Sequence, residues 1–210
     1  MRHVGIWSGV GLVLLAGVAV AAAQDKPRAD APPETPPAPP SASGTYRLDP
    51  VHSSNVFRIK HLNVANFYGR FNEMSGTFTL DDAAPENSRF EVTIKTASVD
   101  TNHPDRDKHV RSAEFFDVEK YPEMTFRSKS VKSAGENLLD VSGELTFRGV
   151  TQPLDVRIER TGSGPGLRGE FRAGFETTFT IKRSDFGMTA LLTGLSDEVR
   201  ITVSVEGVRQ

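Results

Sequence analysis

The chain has 210 residues, 27 acidic and 25 basic side chains and a formal charge of −2, a balance that offers no basic surface for a phosphate backbone and so excludes nucleic acid as the expected partner. It contains no cysteine, which excludes disulfides, thiolate metal sites, a cysteine nucleophile and a lipid-modified N-terminal cysteine. The length suits one folded domain.

Residues 1–23 read as a cleaved secretory signal. Arg2 and His3 precede an uncharged run with the apolar core GVGLVLLAGVAV, and Ala21, Ala22 and Ala23 satisfy the small-residue rule for signal peptidase. The uncharged run is also long enough to span a bilayer as an anchor. The alanine triplet favours cleavage after Ala23, which leaves no stable membrane span and removes Trp7, the only tryptophan. Residues 24–44 then hold seven of the 13 prolines, in QDKPRADAPPETPPAPPSASG. Such a segment buries no core and favours extended polyproline conformations, so a disordered linker is expected.

From Thr45 to Gln210 the dominant period is 2. Phe90, Val92 and Ile94 alternate with Glu91, Thr93 and Lys95, and Leu139, Val141, Gly143, Leu145 and Phe147 alternate with polar residues. The same holds for Leu154, Val156 and Ile158, for Phe171, Ala173, Phe175 and Phe179, and for Val199, Ile201, Val203 and Val205. Each such strand has one apolar and one wet face. Residues 56–62, 71–80 and 124–131 are further predicted strands. Turn residues fall at 81–87, 133–137, 149–153 and 162–169. About eight strands with short loops predict an all-β, antiparallel fold that buries one face in a sandwich or a closed barrel. Long strands favour the barrel, whose interior is filled by side chains or holds one small apolar ligand. A membrane barrel needs aromatic girdles, and three tyrosines with no tryptophan after the signal supply them poorly.

Residues 102–126, NHPDRDKHVRSAEFFDVEKYPEMTF, break the pattern. A loop leads into a charged segment, 105–113, that suits about two helical turns. Phe115 and Phe116 follow, and Tyr121-Pro122 stops the segment so that a strand begins after it. This reads as a short helical lid over the end of an apolar sheet, or as a solvated connection. A second polar cluster, Lys182-Arg183-Ser184-Asp185-Phe186-Gly187, interrupts a strand pattern. Arg183 and Asp185 are placed to pair there, and Leu191-Leu192 beyond them to line a barrel end.

Chemistry is sparsely signalled. No HExxH, GxSxG or phosphate-cradling loop is present, so no cofactor, resident metal or catalytic residue is expected. His52, within Asp49-Pro50-Val51-His52-Ser53, reads as a turn residue entering a strand. His103, Asp105, Asp107 and His109 lie in one short segment and carry the alternative of a metal-assisted enzyme.

Several motifs in order resemble the YceI-like lipid-binding family. They are Tyr46-Arg47-Leu48-Asp49-Pro50-Val51-His52-Ser53, Phe57-Arg58-Ile59-Lys60-His61, Tyr68-Gly69-Arg70-Phe71 and Gly76-Thr77-Phe78. Val99-Asp100-Thr101, Arg106-Asp107 with His109 and Arg111-Ser112, Phe115-Phe116-Asp117, Tyr121-Pro122, Gly143 with Leu145-Thr146, Gly149-Val150-Thr151, and Arg183 with Asp185-Phe186-Gly187 continue the series. The resemblance covers residues 45–208 and implies an eight-stranded, lipocalin-like barrel. It implies an apolar interior that takes polyisoprenoids or fatty-acid-like lipids, a periplasmic carrier role and no enzymatic activity. Oligomeric state is left open, a homodimer included. The lining residues it implies are Phe57, Ile59, Phe71, Phe78, Phe90, Val92, Ile94, Phe115, Phe116 and Phe126. The implied head-group residues are His103, Asp105, Arg106 and Arg111 on the lid, with Arg183 and Asp185 on the rim. The alternative function is a lipid-modifying enzyme using the His/Asp-rich lid.

Overall fold

The computed structural model describes residues 41–210; the expected signal and all but the last residues of the expected linker lie outside them. The fold begins slightly before Thr45. Ala42 is buried against the barrel end and accepts a hydrogen bond from the Tyr46 hydroxyl at 2.7 Å. Ser41 and the Ala42 amide both donate to Asp82.

Eleven strands form one antiparallel sheet. They are β1 (Gly44–Leu48), β2 (Ser54–His61), β3 (Ala65–Phe71), β4 (Met74–Leu80), β5 (Arg89–Lys95), β6 (Val99–Asp100), β7 (Glu123–Gly135), β8 (Leu138–Phe147), β9 (Val150–Pro165), β10 (Phe171–Lys182) and β11 (Leu195–Arg209). β1, β4, β5, β7, β8, β9, β10 and β11 are neighbours in that order, and β11 pairs back onto β1. The result is a closed eight-stranded antiparallel barrel, in which each strand is paired on both sides over at least part of its length.

The alternation read from β8 is realised in full: Leu139, Val141, Gly143, Leu145 and Phe147 are all buried, and the intervening residues are not. The predicted strand 71–80 is instead two strands. A break at Asn72 and Glu73 lets β3 pair with β2 and β6, while β4 pairs with β1 and β5. A matching break at Asp49–Ser53 separates β1 from β2. β11 therefore pairs with β2 from Leu195 to Ser204 and with β1 from Gly207 to Arg209. So β2 and β3 hold, at one end of the barrel, the places that β1 and β4 hold at the other.

The partner switch is pinned by the Asp49-Pro50-Val51-His52-Ser53 motif. The Asp49 amide donates to the Glu206 carbonyl at 2.7 Å, and the Glu206 amide donates to the Ser53 hydroxyl at 3.0 Å. Asp49 also takes His52 Nδ1 and Arg172 Nη1, each at 2.9 Å, and its carboxyl is held far below the usual range, by His52 first and Arg172 second. Asp49, His52 and Glu206 bring ligand atoms within 4.8 Å of one another. The Arg172 guanidinium bonds both carboxylates and supplies there the positive charge a metal would bring.

The end carrying residue 41 is plugged. Tyr46 stacks on Phe78 with ring centroids 4.8 Å apart, and Phe175 meets Phe78 and Phe90 edge-on at 5.5 and 5.4 Å. Arg209 closes the plug from outside, donating to the Tyr46 hydroxyl and lying 3.9 Å from the Phe171 ring centre. Each aromatic so buried is worth roughly 1.5–3 kcal/mol.

Candidate functional site

Beyond the plug the interior is not filled. An inner chamber with a cavity volume of about 100 Å³ lies between β5, β7, β8, β9, β10 and β11. Val92, Phe126, Leu154, Phe179, Val203 and Val205 line it and remain half-buried, because they border empty space rather than a packed neighbour. The wall is also thin on one side. β9 and β10 pair only as far as Ile158 and Thr177, so toward the other end the two strands part. Pro153, which has no N–H to donate, sits on that unpaired edge.

A second chamber, of about 360 Å³, adjoins the first; Asn55, Met124 and Ile201 border both. Its walls are β2, β3, the lid and the connection between β10 and β11. Four of its lining residues, His61, Ala65, Asn66 and Arg106, are exposed and frame the mouth. Gly69 has no Cβ because the Phe57 ring lies over it: a methyl there would come within 2.3 Å of the ring.

The lid is α1 (Pro104–Arg111) and the turns after it. Eight residues are too few for a stable isolated helix. Pro104 opens it with a preset φ, Asp105 and Asp107 sit in the first turn, and Lys108, His109 and Arg111 in the last, matching the helix dipole. The charged side chains then bind it down. Arg111 donates to the Ala97 and Val99 carbonyls at 2.9 and 2.7 Å. Asp107 accepts from the amide and hydroxyl of buried Thr101. Arg106 bonds the Thr101 hydroxyl at 3.0 Å and lies 4.4 Å from the Phe67 ring centre, which joins lid to β3.

Of the sequence-predicted residues, Phe90, Val92, Ile94 and Phe126 line the inner chamber. Phe57, Ile59, Phe71, Arg106, Phe115, Phe116 and Arg183 line the outer one. Phe78 faces inward but belongs to the plug. His103, Asp105 and Arg111 border neither chamber: His103 and Asp105 are exposed, and Arg111 is committed to the Ala97 and Val99 carbonyls. Asp185 lies on an outer groove with Gln152 and Lys182. The expected Arg183–Asp185 pair does not form. Arg183 is 3% exposed and donates instead to four carbonyls, of Ser196, Met188, Ala190 and Leu195, at 2.7–3.2 Å. Burial pushes its pKa down, partly offset by Asp197. Burial would raise Asp197 itself, but the hydroxyl and amide of Ser184 outweigh it and hold that carboxyl low. The four residues of the enzymatic alternative do not converge either. Asp107 serves Thr101, and His109 Nε2 bonds Glu114 at 2.5 Å with its ring edge-on to Phe115.

The residue that sequence reasoning missed is Asn55. It is 3% exposed, borders both chambers, and its Oδ1 is buried with no hydrogen-bond partner. Its signal was present: Asn55 shares the inward parity of Phe57 and Ile59, and a polar residue on an apolar parity is the informative exception.

A closed antiparallel barrel around an apolar, two-chambered cavity with a polar mouth defines a ligand-enclosing barrel. The chain belongs to the YceI-like family: a model of the YceI-like domain matches residues 46–207. It is 45% identical over 172 residues to Protein YceI of Salmonella newport, covering 81% of this chain and 90% of that one. The crystal structure of BcnA from Burkholderia cenocepacia superposes with a TM-score of 0.70 at 25% identity, over 76% of this chain and 98% of that one. The fold is shared too with a polyisoprenoid binding domain from Saccharophagus degradans, implicated in plant cell wall breakdown, at a TM-score of 0.63 and 21% identity over 79% and 98% of the two chains.

Proposed function

We propose that this protein is a periplasmic carrier that binds one long-chain amphiphile of the polyisoprenoid or fatty-acid-like class. The observation that carries this reading is the pair of adjoining chambers that share Asn55, Met124 and Ile201, the inner one small and apolar, the outer one larger and fringed with polar groups at the mouth. A slender hydrocarbon chain suits the inner chamber, and a compact polar end suits the outer one, where Asn55 Oδ1 supplies an acceptor and the exposed Arg106 guanidinium a donor. Each buried CH₂ contributes about 0.8 kcal/mol, so ten carbons supply roughly 8 kcal/mol before ordering costs. The polyisoprenoid binding domain that shares this fold supports the ligand class. The compartment is inferred from the secretory signal expected at residues 1–23.

Native mass spectrometry of the protein from its own source, followed by solvent extraction, tests the proposal. We expect one long-chain molecule per barrel, and its loss in Val203→Trp, which fills the inner chamber while the protein stays folded. Repeatedly empty wild-type protein that takes up no added isoprenoid would overturn the carrier reading, and undiminished loading of folded Val203→Trp would overturn the placement of the chain.

A further inference from the structure

Two loop tips beside the mouth carry exposed aliphatic side chains. The β2–β3 turn carries Leu62 and Val64, 59% and 84% exposed, and the β10–β11 connection carries Leu191 and Leu192, 57% and 43% exposed. These two tips form one rim, because the Leu62 amide donates to the Gly194 carbonyl at 2.7 Å. The first tip borders the opening directly, since His61 and Ala65, on either side of it, line the outer chamber. The backbone does not favour leucine here. Leu62 and Leu191 both have left-handed backbones, with φ of 51° and 54°, a conformation in which asparagine, aspartate or glycine is at ease and leucine is not.

The wall behind the rim is basic although the whole chain carries a net charge of −2. Arg58 of β2 and Arg200 of β11 are directly opposite one another, an arrangement that repels. Lys60 continues the row along β2, and Lys182 lies across from Glu198, the one acid interleaved with these four bases on the paired faces. Among the described residues no ion pair engages Arg58, Lys60, Lys182 or Arg200. Neither tip, residues 61–66 or 188–196, contains an acid.

Apolar side chains at the tip, a cationic belt one step behind, and a lipid-sized cavity opening between them fit one occupant. We propose that the rim docks on an anionic bilayer surface, with Leu62, Val64, Leu191 and Leu192 entering the head-group region and Arg58, Lys60, Lys182 and Arg200 facing lipid phosphates. Docked in this way, a ligand passes between membrane and cavity without crossing water. The proposal rests on the lipid reading of the cavity for its purpose, but its measurement does not.

The test is flotation of the ligand-free full chain with vesicles of phosphatidylethanolamine and phosphatidylglycerol, and with vesicles of phosphatidylcholine alone. Wild type should float with the anionic vesicles, and less so as salt rises. The double variant Leu62→Asn, Leu191→Asn should lose roughly tenfold or more in partitioning, the scale of removing two part-buried leucines. Its melting temperature should hold or rise, since asparagine suits the left-handed backbone; that readout separates lost docking from lost folding. Charge removal in Lys60→Gln, Arg200→Gln should abolish the preference for anionic vesicles. Equal flotation of wild type and the leucine double variant would overturn the proposal. So would a wild type that ignores both vesicles and instead forms a concentration-dependent dimer that the variant lacks, which would assign the rim to a second copy of the chain. Protein that floats but takes up no isoprenoid refutes the cavity reading and leaves the rim standing; protein that loads isoprenoid but never floats does the reverse.

Discussion

Asn55 places one polar group where two apolar chambers meet. A buried carbonyl oxygen with no donor costs about 1–3 kcal/mol, and this barrel carries that cost at the waist of its cavity. A ligand hydroxyl or amide at that depth would satisfy the oxygen, so Asn55 is positioned to select amphiphiles over plain hydrocarbons. Asn55→Leu, close in shape, should raise stability by about 1–2 kcal/mol in urea denaturation. It should also erase the preference for an isoprenoid alcohol over a hydrocarbon of equal length in a competition assay, while total uptake persists. A variant less stable than wild type, or one that still discriminates, would show that the carboxamide serves the fold instead. At this scale much was legible. Parity along β5 marked Val92 and Ile94 as inward, the family resemblance implied Phe57 and Ile59, and the cavity lining includes all four. Depth along the barrel axis was not legible, because alternation says which face a side chain takes and not which level. Phe78 has the right parity and sits in the plug.

The connection between β10 and β11 shows how an element at the mouth is held without regular structure. Residues 187–194 have few hydrogen bonds of their own; Arg183 ties their carbonyls together from inside, and Arg148 donates to Gly187 on one side and to Ala113 of the lid on the other. A guanidinium suits this because its donors are fixed in one plane. Arg183→Met leaves several buried carbonyls unpaired and should cost about 3 kcal/mol or more. Hydrogen exchange should locate the loss, with amides in 187–196 deprotected well before those of β8. Arg183→Lys should recover only part of the loss, since an ammonium has fewer donors and no fork. Uniform deprotection of the barrel would refute the local role. The sequence showed that residues 102–126 and 182–187 were special, but not what their charges do. In both segments charges read as head-group contacts turn out to bind backbone: Arg111 holds Ala97 and Val99, and Arg183 holds its own loop. A side chain that satisfies a carbonyl and one that awaits a ligand look alike in a linear sequence.

For the molecule as a whole, the barrel was readable from period-2 alternation, while the offset of β2 and β3 from β1 and β4 was not, because it depends on two breaks that resemble ordinary turns. One of those breaks introduces an acid sensitivity. Asp49 at the partner switch is held far below its usual range by His52 and then Arg172. At the other break Asp100, on β6 beside β3, is held down at about 2 by the Asn102 amide first, then by Arg70 and by Asn72. Asp140, Glu170 and Asp197 are lowered as well. A carboxyl whose folded pKa is depressed stabilises the fold above its unfolded pKa, and that contribution vanishes as pH falls through the folded value. The unfolded chain takes up protons near 3.8 while Asp100 in the barrel waits until about 2. Thermal unfolding midpoints should therefore fall most steeply as pH drops from about 4 toward 2. Asp100→Asn should flatten part of that slope, and so should added salt, because the Arg70–Asp100 pair is exposed to screening. Asp49→Asn should flatten more of it and lower the midpoint at neutral pH too, since the switch loses its bond to Arg172. Midpoints that stay level down to pH 2 would mean these carboxylates gain nothing from their partners, and that the break at Asp49–Ser53 is held by its backbone bonds alone.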